Sequence, residues 1–190
     1  MGIDSGAPAM IKYRLYMTMS LFLLLLSATN SMLSAGDGTG PAYGMKSLDD
    51  SGRMQISSSD RCPVCGMKVV RYPKFSCAIQ LQDTATFYFC STGCMIRSWM
   101  HPEIYLGKQP TDLKQPVVRE YFSGRQVDAR RVMFIHGSDV IGPMGPALVP
   151  VLDGKHRAVF MKRHGGKTVL RLESLTDAEW FKITGRKMLK

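Results

Sequence analysis

The apolar residues of this chain fall into three stretches with different spacing. Between Ile11 and Ala35 they run almost unbroken, centred on Leu21–Leu26, with Lys12 and Arg14 ahead of them. A positive start, an apolar centre and small residues at Ser27, Ala28, Ser31, Ser34 and Ala35 together make a signal segment. Between Gly36 and Asp60 aliphatic residues are sparse while Gly, Ser and Asp are common. That composition predicts a flexible linker with a reach of roughly 25–30 Å. From Arg61 onward the apolar positions alternate between strand-like and helix-like spacing, so the folded part is expected to be α+β.

Within that part, Met67–Tyr72, Ser76–Leu81 and Ala85–Cys90 read as strands. A short helix should start at Ser91 or Thr92, either of which can cap it. Met95, Ile96, Trp99 and Met100 mark its apolar face, and His101-Pro102 ends it. Pro102, Pro110 and Pro116 then punctuate an irregular connector. A second unit repeats the pattern: a strand over Arg131–His136, a turn-rich loop at Gly142–Pro146, and a helix over Lys155–His164 closed by Gly165-Gly166. Thr168–Leu172 is a strand, and Thr176-x-x-Glu179 is a capping box for a last helix. The expected organisation is a signal peptide or membrane anchor over residues 1–35, a linker over 36–60, a cysteine-rich unit over 61–116, a second unit over 117–176, and a helix or tail over 177–190. No sequence self-similarity relates the two units.

Length and charge narrow the function classes. A chain of 190 residues with 45% hydrophobic content can bury a core. The net charge of +10 raises nucleic acid as a partner, yet the basic residues are scattered from Lys12 to Lys190. Short groups such as Arg130-Arg131 and Lys162-Arg163 are solvated faces. With an export signal as well, no nucleic-acid partner is expected, and an anionic membrane surface or acidic protein fits better. Cleavage after Ala35 places bulky Leu33 at the third position back. An uncleaved anchor is the alternative, because Leu15–Leu33 approaches the about 20 apolar residues that span a bilayer. No cysteine lies in or just after the apolar run, so a lipid-modified N-terminus is not expected. Either route leaves the rest of the chain in the periplasm, an oxidising compartment.

All five cysteines lie between positions 62 and 94, as Cys62-x-x-Cys65, Cys77, and Cys90-x-x-x-Cys94. Pro63 and Gly66 bend the first pair into a tight turn. Cys90 ends a predicted strand, and Cys94 falls in the first helical turn, where free N–H groups favour a thiolate. Two such pairs can converge on one ion. The competing interpretation is two disulfides and a spare thiol, which export permits. A redox CxxC is less suited, because that motif opens a helix, whereas a β-rich run follows Cys65.

Four thiolates alone suit tetrahedral zinc. Met67 directly follows the first motif, however, and Met144 sits on the Gly142-Pro143-Met144-Gly145 loop. Thioether added to thiolate is the soft set that selects Cu(I). His164, ahead of Gly165-Gly166, could add an imidazole nitrogen or serve instead at the helix C-terminus. His101, His136 and His156 read as structural, and Met95, Met100, Met133 and Met161 as core. No nucleophile, base and orienting group assemble, so an enzyme is not expected. A carbon–metal lyase remains a fold-level analogy only.

Taken in order, these motifs resemble the NosL family of copper-binding accessory proteins for nitrous oxide reductase. The resemblance rests on Cys62-Pro-Val-Cys65-Gly66-Met67, on Phe89-Cys90-Ser91-Thr92 followed by Met95 and Trp99, and on Val127-Asp128-Ala129. It continues through Gly137-Ser138 into Gly142-Pro-Met-Gly145, and through His164-Gly165-Gly166 into Leu170-Arg171. It implies two small ββαβ-type units, Cu(I) binding, and a metallochaperone for nitrous oxide reductase or a similar periplasmic cuproenzyme in denitrification. A neighbouring membrane copper-transport complex would be a further partner. Carried over, the site residues are Cys62, Cys65, Met67, Met144 and His164. Two features depart from the family pattern: the lipid-accepting cysteine is missing, and Cys94 is added. With Cys94, the first unit also resembles TRASH or YHS metal modules, which adds Cys90 and Cys94 to the site and keeps zinc as the alternative ion. A structural zinc- or disulfide-stabilised module that docks a membrane partner is the rival function.

Overall fold

The computed structural model describes residues 47–188, so the signal or anchor segment expected over residues 1–35 lies outside the described residues. Among the described residues no helix is long and apolar enough to cross a membrane. Residues 47–60 form no helix or strand, yet Leu48 and Met54 are buried in the core and the Gln55 N–H donates to the Tyr88 hydroxyl at 3.1 Å. Two apolar side chains are enough to dock this polar stretch.

The chain builds one small topology twice. In the first copy, β1 (Cys77–Leu81) and β2 (Thr86–Phe89) form an antiparallel hairpin. Helix α1 (Thr92–Met100) and the single turn α2 (Pro102–Tyr105) follow, and β3 (Leu113–Arg119) returns antiparallel beside β1. The short β4 (Gln126–Asp128) extends this sheet to the order β2-β1-β3-β4. In the second copy, β5 (Met133–His136) is followed by a miniature hairpin of β6 (Ile141–Gly142) and β7 (Gly145–Pro146), and by β8 (Val149–Val151). Helix α3 (Gly154–His164) leads to β9 (Thr168–Leu170), which lies beside β5 in the order β8-β5-β9. Helix α4 (Asp177–Thr184) closes the described chain. Both copies are therefore ββαβ, with the first strand in the middle, and the fold is α+β as expected.

Strand periodicity joins the copies. Along β5, Phe134 enters the larger core cluster with Phe89, Met95 and Val117, while Met133 and Ile135 point to the other face and pack with Phe160 of α3. Strand β1 is buried at all five positions, because α1 covers one face and the larger core the other. Met95 and Met133 are core residues, as their spacing predicted.

Local chemistry sets the helix ends. The Ser91 hydroxyl accepts from Cys94 N–H, and the Asp153 carboxylate accepts from His156 N–H. Thr176 and Glu179 form the expected capping box, and Gly165 closes α3 with φ +71°. Gly166 cannot carry a side chain, since a Cβ there would stand 2.6 Å from Ile135.

Two expectations are corrected. Met67–Tyr72 is not a strand: a single bridge joins Arg61 to Lys68, and Val69–Arg71 is a 3-10 turn. The Val69 N–H is taken by the Asp60 carbonyl, and successive turn bonds from Tyr72 to Val69 and Phe75 to Tyr72 carry the chain onward with no partner strand. Conversely, the proline-punctuated connector holds β3. Pro116 faces Ile79 one residue beyond the β3–β4 ladder, which begins at Val117–Asp128, so β4 needs no N–H from it.

Candidate metal centre

Cys62 and Cys65 stand on a turn that is hydrogen-bonded across its base. The Cys62 N–H donates to the Met67 carbonyl at 2.9 Å and the Gly66 N–H to the Cys62 carbonyl at 2.8 Å. Gly66 takes φ +73°, a conformation that only glycine adopts without strain, which explains its place after the second cysteine. Arg61 braces the turn by donating to the Gly66 carbonyl at 3.1 Å, and the Asp60 carbonyl closes it through Val69. Neither Asp60 nor Arg61 stood out in the sequence, because their part is played by backbone atoms or by a single long side chain.

The other two thiols come from the junction of β2 and α1. Cys90 follows the last residue of β2, Ser91 caps α1, and Cys94 sits in its first turn. The hydroxyl of Thr92 donates to the Leu148 carbonyl at 2.6 Å, pinning the start of the helix to the second copy. The result is a group of four sulfur atoms, from Cys62, Cys65, Cys90 and Cys94, all within 4.8 Å of one another. The Cys65 and Cys90 sulfurs stand 3.4 Å apart. Four sulfurs at about 2.3 Å from a tetrahedral ion would be about 3.8 Å apart, so the group needs little rearrangement to close on one. All five cysteines are free thiols, which departs from the two-disulfide alternative.

Cys62, Cys90 and Cys94 are buried, whereas Cys65 is half-buried. Hydrogen bonds from Cys65, Cys90 and Cys94 hold the Cys62 thiol far below the usual thiol range. The same bonds to Cys62 push Cys90 and Cys94 up. One negative charge is therefore shared among neighbouring thiols, and a cation is what would let the others ionise. Cys77 is apart from this group. Its thiol donates to the Phe75 carbonyl at 3.0 Å, and complete burial raises its pKa well above normal.

The remaining candidates are dispersed. Met67 lies two residues past Cys65, with its side chain half-buried against the larger core. Met144 is in the two-residue turn between β6 and β7 and lines a cavity of about 90 Å³ that also touches Cys94, Ser91 and Trp180. His164 ends α3 and is not part of the thiol group. Its Nε2 meets the Tyr121 hydroxyl at 3.0 Å and its Nδ1 meets Asp139 Oδ1 at 2.9 Å, so both ring nitrogens have protein partners.

The sequence profile of the NosL family matches residues 53–180, most of the described chain and every residue of the thiol cluster. The chain belongs to the NosL family. A copper-binding lipoprotein NosL from Stutzerimonas stutzeri is 26% identical over 147 residues, covering 72% of this chain and 76% of that protein. The crystal structure of the copper chaperone NosL from Shewanella denitrificans superposes with a TM-score of 0.56 at 24% identity, over 66% of this chain and 96% of that one. That likeness establishes a shared NosL fold.

Proposed function

We propose that this NosL-family chain is an exported copper carrier that holds Cu(I) on Cys62, Cys65, Cys90 and Cys94 and passes it to nitrous oxide reductase or a similar periplasmic cuproenzyme. The observation that supports this most is the convergence of four thiols, three of them buried, with one half-buried thiol at the edge. Thiolates are the soft donors that favour a monovalent copper ion. The relatives named as copper-binding and as a copper chaperone support the choice of ion. Met144 is proposed as an accessory thioether, since it shares a cavity with Cys94. Met67 and His164 are proposed as secondary donors that act only on rearrangement. Carriage rather than catalysis is proposed, with a membrane copper-transport complex as the source and an anionic membrane surface as the place of contact. Anaerobic titration of the reduced protein with Cu(I) tests this. One tightly held equivalent is expected, and its survival in a Cys62→Ser/Cys65→Ser variant would refute the site.

A second function is favoured by one feature, the convergence of four cysteines rather than two or three. That number suits a closed structural zinc site in a docking module. Zinc that resists exchange with excess Cu(I) would select it.

A further inference from the structure

The two ββαβ copies match beyond their strand order. Ahead of β1, the Cys62–Met67 turn is closed by Cys62 N–H to Met67 O and Gly66 N–H to Cys62 O. Between β3 and β4, ahead of β5, the Glu120–Arg125 turn is closed in the same way, by Glu120 N–H to Arg125 O and Gly124 N–H to Glu120 O, each at 2.9 Å. The glycines correspond too, with φ +73° at Gly66 and +66° at Gly124. A 3-10 turn then leads toward the first strand in each copy, Val69–Arg71 in one and Ala129–Arg131 in the other. By this correspondence Glu120 takes the place of Cys62 and Ser123 that of Cys65.

The helix supplies the third member. Cys94 is three residues past the cap Ser91, and its N–H binds that cap. His156 is three residues past the cap Asp153, and its N–H binds Asp153 Oδ1 at 2.8 Å. The second copy thus sets a carboxylate, a hydroxyl and an imidazole where the first sets thiols. The side chains converge accordingly. Glu120 is fully buried; its Oε2 accepts from the N–H and hydroxyl of Ser123, both at 2.7 Å. Its Oε1 has no hydrogen-bond partner in the protein, nor does the buried Nδ1 of His156. These two atoms stand 3.8 Å apart, and Asp153 Oδ2 is 4.0 Å from the same Nδ1. That is too long for a hydrogen bond but within the span of two donors that each lie about 2.0–2.2 Å from one ion.

We propose that Glu120 and His156, with Asp153 at the rim, bind a divalent cation of borderline hardness such as Zn(II), at the second copy's counterpart of the thiol cluster. Carboxylate and imidazole prefer such an ion to Cu(I), so the two copies would sort metals by donor type. Ser123 holds the carboxylate in place and leaves Oε1 free for the ion. The buried Glu120 carboxylate faces the His156 imidazole at ion-pair distance, and a cation held between them would relieve the cost of burying its charge.

Equilibrium dialysis of the full reduced chain against Zn(II), with zinc counted per protein, tests this apart from any copper chemistry. Two equivalents are expected in the unmodified protein. One is expected in Cys62→Ser/Cys65→Ser, with an X-ray absorption shell of nitrogen and oxygen only. Glu120→Gln and His156→Asn should each weaken the second site by more than roughly tenfold while keeping the sulfur-bound ion, which also reports that they fold. A second equivalent that persists in both variants, or its absence from the unmodified protein, overturns the proposal.

Discussion

At the scale of single residues, the thiol cluster makes stability depend on pH in both directions. Cys62 stays ionised in the folded chain, so between its own low pKa and about 8.5, the ordinary thiol value, the unfolded chain holds one more proton at this position. Stability from Cys62 therefore grows as pH rises toward about 8.5. Above that value the unfolded thiols ionise, whereas Cys77, Cys90 and Cys94 keep their protons in the fold, so stability falls. The metal-free protein should be most resistant to urea near pH 8.5, and a denaturation series across pH 6–10 would show the maximum. A second residue prediction separates the fifth cysteine from the other four. Cys77→Ser should lower stability by about 1–3 kcal/mol, through a buried hydroxyl in a tight strand, yet leave the number of metal ions bound unchanged. The cluster itself was legible in the sequence because its cysteines fall in two closely spaced pairs. The fate of His164 was not, since its partners Tyr121 and Asp139 are brought to it by tertiary packing alone.

At the scale of elements, what sequence could and could not foretell follows the range of the forces involved. Helices α1 and α4 were legible from their caps Ser91 and Thr176, and α3 from the Gly165-Gly166 that closes it, because these signals act over a few residues. The strand through Pro116 was not, because its place is decided by Ala78–Gln80 on the neighbouring β1. Val69-Val70 misled in the opposite sense: β-branched residues suited a strand, but no partner edge reaches them. Two substitutions probe how the elements hold the thiols. Ser91→Ala removes the cap of α1 and should cost about 1 kcal/mol in chemical denaturation. It should also weaken metal binding, because the cap hydroxyl receives the N–H of Cys94 itself. Gly66→Ala forces a side chain into φ +73° and should cost about 1–2 kcal/mol, although open space surrounds the position. Its effect should fall on metal affinity as well as on unfolding, a pairing that a substitution at the exposed Gly107 would lack.

At the scale of the whole molecule, the first copy's thiol cluster and the common core are continuous. Cys62, Cys90 and Cys94 belong to the same cluster as Phe134 from the second copy and Leu172 and Trp180 that follow it. An ion bound to the thiols should therefore stabilise the entire described fold rather than one loop. At a free ion concentration about 100 times the Kd, loading adds about 2.7 kcal/mol, enough to raise the thermal midpoint by roughly 10 °C. Calorimetry of loaded and stripped protein would measure it, and two separate transitions on stripping would show that the copies melt independently.

The half-exposure of Cys65 bears on how cargo would leave. Three of the four sulfurs are buried, so on the proposed carrier role an incoming donor would meet the ion most directly at this thiol. Release would then be a displacement that starts at the Cys65 side, with the Cys65 bond the first to yield. Widening the opening at Cys65 should then quicken handover while leaving equilibrium affinity nearly untouched, so that residence time and tightness would be tuned separately.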